Sequence, residues 1–192
     1  MTSVFFFLPN LIGYARLSLL LVSFVFFDFP ILFLFIYGLS AALDGFDGYV
    51  ARKWKQTSAF GAWLDVVTDN ISRSMVWCHI TSWGFFVSGL EWCVFVCTHT
   101  YGSQWKNEFD KAPWWAKKIM AHGFKTLHGF VAITGLFVLP LWIYGMQHGL
   151  HRPFPAWFYL GGLAFLVIGR LMSLAVEIWC IWNHIKLLAR EN

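Results

Sequence analysis

Six stretches of mainly apolar residues, each near the roughly 20 residues a helix needs to cross a bilayer, leave this chain little choice of fold. They run from about Leu8 to Phe27, Ile31 to Val50, Gly61 to Phe86, Leu90 to Trp105, Phe124 to Tyr144 and Trp157 to Trp182. Asp28 and Pro30 separate the first two, and Ser88-Gly89 the third and fourth. Only 12% of the 192 residues are charged, against about 25% in a soluble domain. The polar surface is too small to cover a water-soluble globule. The expected fold is all-α: a six-helix membrane bundle forming one domain over residues 1–192. Met1 to Asn10 lacks the basic start and small-residue cleavage site of a signal peptide, so the first apolar stretch is expected to stay in the mature protein. Cys78, Cys93, Cys97 and Cys180 lie in apolar stretches without metal-ligand spacing and read as buried thiols.

The net charge of +4 is modest and sits in loops. It marks topology and gives no footprint for nucleic acid. Arg52, Lys53 and Lys55 follow the second stretch. Lys106, Lys111, Lys117 and Lys118 follow the fourth, and Lys186 and Arg190 the sixth. With six crossings these groups share one face, which the excess of basic residues assigns to the cytosol. Trp114-Trp115 and Trp179 to Trp182 suit interfacial anchors, although any one tryptophan could equally pack against neighbours.

Four of the ten acidic residues fall between positions 44 and 69, at or inside predicted membrane helices. Charge there is costly and needs a partner or a purpose. At about 100° per residue, Asp44, Asp47, Gly48 and Ala51 share one helical stripe, and Gly61, Asp65 and Asp69 form another. Bringing the stripes together makes a four-carboxylate cluster bordered by small residues. Such a cluster repels itself unless cations join it. Hard divalent ions with oxygen ligands answer that need, and magnesium suits pyrophosphate-bearing substrates. Arg52 can reach a phosphate or a carboxylate as a bidentate donor.

The stretch resembles the signature of the CDP-alcohol phosphatidyltransferase family, D-x-x-D-G-x-x-A-R, eight residues, then G-x-x-x-D-x-x-x-D. Asp44, Asp47, Gly48, Ala51, Arg52, Gly61, Asp65 and Asp69 fill every specified position. Leu8-Pro9-Asn10-Leu11-Ile12-Gly13-Tyr14-Ala15-Arg16 looks like the opening of the eukaryotic phosphatidylinositol synthase branch, as do Phe60-Gly61-Ala62, Leu64-Asp65 and Thr68-Asp69. This closer likeness covers about the first 75 residues. That branch has an arginine after the fourth aspartate, where this chain has Asn70. It also has a later Ser-His-Trp segment, where this chain has Gly102-Ser103-Gln104-Trp105.

The resemblance implies a six-helix membrane enzyme that transfers a phosphatidyl group from CDP-diacylglycerol to an alcohol, with inositol favoured. It implies Mg²⁺ or Mn²⁺ held by Asp44, Asp47, Asp65 and Asp69, with Asp69 also the general base. Gly48, Ala51, Arg52, Ser58 and Gly61 match positions beside the CDP-lipid, and Asn10, Arg16, Asn70 and Arg73 are candidates for the acceptor or donor pocket. The expected membrane is the endoplasmic reticulum, and a second copy of the chain is a candidate partner. The competing readings are another acceptor (glycerol phosphate, serine, choline or ethanolamine) and a non-catalytic homologue that binds lipid or a partner. Arg73 could equally pair with acidic residues. Arg16 and Arg170 could each simply pair with a carboxylate or snorkel, the reading favoured for Arg170 with Glu177 as a candidate partner, and the histidines form no ligand set.

Overall fold

The computed structural model describes residues 3–99 and 112–190. Among them there are helices and no strand. Seven α-helices follow a 3-10 turn at Val4–Phe6: α1 (Leu8–Val25), α2 (Pro30–Lys53), α3 (Ala59–Ile80), α4 (Gly84–His99), α5 (Trp114–Phe124), α6 (Leu127–Gln147) and α7 (Ala156–Leu188). The chain divides into two compact units, Met1–Ser72 and Arg73–Asn192.

In the first unit, Pro9 and Pro30 sit in the opening turns of α1 and α2, where a missing N–H costs nothing. The buried residues of α1 are Pro9, Asn10, Gly13, Arg16, Leu20 and Ser23. They recur at three- and four-residue steps, so they form one stripe, and most are small or polar. Large apolar side chains such as Ile31 and Phe35 of α2 point outward instead. This is the arrangement expected when the surroundings are lipid, because apolar residues gain little by turning inward. Phe24, Phe27, Phe33 and Tyr37 close the α1–α2 hairpin, with ring centroids 5.0–5.6 Å apart.

The second unit packs by the same rule. A Cβ on Gly169 would lie 2.2 Å from the Val131 carbonyl oxygen, and one on Gly135 would lie 2.3 Å from the Arg170 nitrogen. Only glycine allows α6 and α7 this approach. A buried ion-pair chain ties helices of this unit: Arg73 Nε to Glu91 at 2.7 Å, Arg170 to Glu91 at 3.5 Å and Arg170 to Glu177 at 3.0 Å. The expected Arg170–Glu177 pair is present.

Among the described residues four helices, α1, α2, α6 and α7, are long and apolar enough to cross a membrane. The other two expected crossings fall on α3, which has 22 residues but carries Asp65, Asp69 and Arg73, and on α4, which has 16. Several expected boundaries move. The third stretch ends at Ile80 rather than Phe86, because α4 starts at Gly84, whose bare Cα rests on the Trp77 carbonyl. Ser88-Gly89, expected as the break, lies inside α4. The expected end of the fourth helix at Trp105 lies outside the described residues, as do Gly102 to Gln104. Phe124 ends the unforeseen α5 with φ of 66°, and α6 begins after Thr126, whose hydroxyl accepts from the Gly129 N–H at 3.1 Å. The final helix runs six residues beyond Trp182, to Leu188. The thiols also differ from expectation: Cys180 is buried, but Cys78 and Cys93 are exposed, since a lipid-facing surface accepts a thiol as readily as a core does.

Gly169→Ala should therefore destabilise the protein by at least the roughly 1–3 kcal/mol of an overpacked core. Gly161→Ala, where an added Cβ meets nothing within 4 Å, should be close to neutral. Thermal unfolding of both variants in detergent checks the pair.

Candidate active site

The two acidic stripes meet in the first unit. Asp44 and Asp47 come from α2, Asp65 and Asp69 from α3, and between them lies the guanidinium of Arg16 from α1. Arg16 NH1 donates to Asp47 at 2.8 Å and to Asp65 at 2.7 Å. NH2 donates to Asp69 at 2.9 Å and pairs with Asp44 at 2.6 Å. The Ser40 hydroxyl, one turn before Asp44, donates to the Arg16 carbonyl at 3.0 Å and locks α1 against α2 at this level. Arg16 is buried, whereas the side chains of Asp44 and Asp65 are each 46% exposed. The cluster is therefore closed on the arginine side and open on the other.

A cavity of about 180 Å³ adjoins the cluster. It collects predicted residues from three helices: Asn10 from α1, Asp47, Gly48, Ala51 and Arg52 from α2, and Gly61 and Asp65 from α3, with Ser58 at the mouth of α3. The space exists because the walls are small. A Cβ on Gly61 would lie 2.7 Å from Asn10 Oδ1 and 3.1 Å from Ser58 Oγ. Asn10 is held by its amide donating to the Val4 carbonyl at 2.7 Å. Arg52 lies along Gly48, with NH1 3.4 Å from where a Cβ would stand.

Ser58 caps α3, its hydroxyl accepting from the Gly61 N–H at 3.0 Å. Gln56 and Thr57 also line the cavity, and neither was foreseen from the sequence. The Gln56 side-chain oxygen accepts from the Leu8 N–H at 3.1 Å, tying the α2–α3 loop to the start of α1. Their one signal was their place in the polar spacer of the signature. Asn70 is buried on α3 and is not a wall of the cavity. Arg73 opens the second unit, where its guanidinium meets Glu91 and the Phe137 ring.

Four carboxylates converge on one guanidinium, so this set of five side chains carries a formal excess of three negative charges. One oxygen each of Asp44, Asp47 and Asp65 lies within 4.8 Å of the others, a grouping that could hold a metal ion. The donors are all hard oxygens, as magnesium and manganese require, and a buried cation already stands among them as the guanidinium. The residues fit a divalent centre.

Fold and site thus define an integral membrane protein with a carboxylate cluster that could hold a divalent cation beside a small-residue cavity. A family model for CDP-alcohol phosphatidyltransferase matches residues 6–183, so the chain belongs to that divalent-metal-dependent membrane family. Among curated relatives, it is 47% identical over 72 residues to a Candida albicans CDP-diacylglycerol–inositol 3-phosphatidyltransferase, covering 37% of this chain and 31% of that one. The Saccharomyces cerevisiae protein of the same name is 40% identical over 93 residues, covering 48% and 40%. The human one is 46% identical over 71 residues, covering 36% and 33%. The matched stretches span only about a third of the length of these relatives. No solved structure matches the chain significantly.

Ser58→Ala should cost about 1 kcal/mol of stability, the usual worth of an N-cap. The measurement is unfolding in detergent without substrate.

Proposed function

We propose that the chain transfers the phosphatidyl group of CDP-diacylglycerol to an alcohol, myo-inositol before others, and releases CMP. The observation that carries this reading is the convergence of all four signature aspartates on one site beside a cavity walled by the signature's small residues. The names of the relatives matched over the first part of the chain support inositol as acceptor.

In this reading Asp44, Asp47, Asp65 and Asp69 hold the divalent ions, Mg²⁺ or Mn²⁺. Such ions, when bound, neutralise the donor pyrophosphate and stabilise the charge on the departing phosphate. Arg52 grips a phosphate oxygen, and Gly48, Ala51 and Gly61 leave room for the nucleotide to approach the helix backbones. Asp69 takes the proton from the acceptor hydroxyl. The hydroxyl oxygen bonds to the lipid-bearing phosphorus as the bond to CMP breaks, and the acyl chains remain in the bilayer. We take residues 1–192 as one domain with six crossings, since the family model spans nearly all of it. The basic residues after α2 and after α7 favour an active site facing the cytosol, in the endoplasmic reticulum, and a homodimer is a further proposal.

Asp69→Asn should leave the fold intact and lower turnover about 10²–10⁴-fold, the usual loss for a general base. CMP release in the presence of Mg²⁺ or Mn²⁺ measures it, and near-normal turnover removes Asp69 from the role. Chelation should abolish release, and either ion should restore it.

A second acceptor is the rival reading, and Asn70 motivates it, because it stands where the inositol-using branch has an arginine. A buried site discriminates sharply through its hydrogen-bonding groups. A panel of alcohols should show inositol transfer, and Asn70→Arg should raise it. Strong preference for another alcohol, lowered by Asn70→Arg, would assign the chain to a different acceptor. If CDP-diacylglycerol binds and no alcohol releases CMP, the chain is a non-catalytic homologue.

A further inference from the structure

Arg16 makes a demand that the signature does not explain. Each of its two terminal nitrogens sits between one carboxylate of α2 and one of α3: NH1 between Asp47 and Asp65, NH2 between Asp44 and Asp69. Every contact is 2.9 Å or shorter. Three of these four partners, Asp44, Asp47 and Asp65, are the residues whose grouping suits a metal ion. Magnesium binds oxygen at about 2.0–2.1 Å in near-octahedral geometry, so an ion that draws these carboxylates onto itself competes with the guanidinium for the same groups.

We propose that Arg16 is a tethered counter-cation, which holds the four carboxylates together in the metal-free protein and is displaced from them when divalent ions bind. The proposal rests on reading the cluster as a divalent centre. It makes Arg16 a positioning residue that acts on the reaction through the aspartates.

Three features favour an exchangeable cation over a permanent ion pair. The Arg16 Nε is buried and has no hydrogen-bond partner, so the side chain is not fully satisfied where it lies. Its backbone is fixed through Ser40, so displacement moves the side chain alone and leaves α1 in place. Asp44 and Asp65 are each nearly half exposed while Arg16 is buried, which leaves the carboxylates within reach of incoming ions.

The test compares wild type, Arg16→Met and Arg16→Lys, purified in detergent and stripped with chelator, with no CDP-lipid or alcohol present. Mn²⁺ binding is followed by loss of the free-ion paramagnetic resonance signal, and stability by thermal unfolding. Arg16→Met should bind Mn²⁺ at least tenfold tighter than wild type. Its stripped form should melt earlier than wild type, with Mn²⁺ closing the gap, and Arg16→Lys should fall between on both readouts. A purely structural arginine would lower stability without tightening metal binding. Unchanged or weaker Mn²⁺ affinity in Arg16→Met therefore overturns the proposal and leaves the divalent centre standing. If no form binds Mn²⁺ at millimolar concentration, the proposal and the divalent reading fail together. Should stripped Arg16→Met not stay folded, it is purified with Mn²⁺ and its affinity taken by chelator competition, with the same outcomes deciding.

Discussion

Repulsion among four aspartates gathered within reach of one arginine governs the first unit. Carboxylate oxygens within 4.8 Å of one another repel by roughly 3–4 kcal/mol per pair at an effective dielectric near 20. Water would screen most of that, but these residues sit on helices whose outer faces are apolar. A fold that tolerates such a cluster has to bring cations to it and keep the surrounding backbones close and rigid. Ser40 against Arg16, Asn10 against Gly61 and Gln56 against Leu8 do the second task. Arg16 does a quarter of the first.

The second unit shows what a structural charge cluster looks like in the same chain. Arg73, Glu91, Arg170 and Glu177 are all buried, and their formal charges cancel. Breaking such a set is costly because it leaves an uncompensated buried charge, so a balanced set works as a staple between helices. The aspartate site is neither balanced nor closed. The difference in bookkeeping separates a site that expects ligands from one that holds helices together, and it does so without appeal to the signature.

Much of this was legible in the residues. Helix identity followed from length and apolarity, and the carboxylate cluster followed from two stripes at three- and four-residue spacing. Boundaries were less legible, because in lipid a polar residue does not mark a helix end. Ser88-Gly89 reads as a break in water but packs inside α4, while the true break at Thr81 to Trp83 is set by how closely Gly84 approaches the Trp77 backbone. α5 was missed because 11 residues with two lysines read as loop. Gln56 and Thr57 were missed because their role lies in where the loop lands. Arg16 was seen as a pocket candidate, but its fourfold engagement needed three helices in register, which no single-helix periodicity contains.

Asn70 shows how local these electrostatics are. Successive residues of a helix point about 100° apart, so Asn70, although next to Asp69 in sequence, does not share its face of α3. It is buried, neutral and not a wall of the cavity. Arg16, by contrast, reaches all four carboxylates from α1. Because the like-charge repulsion is several kcal/mol and each 1.4 kcal/mol is a tenfold change in an equilibrium constant, the one positive charge of Arg16 is large enough to shift the cation affinity of the site.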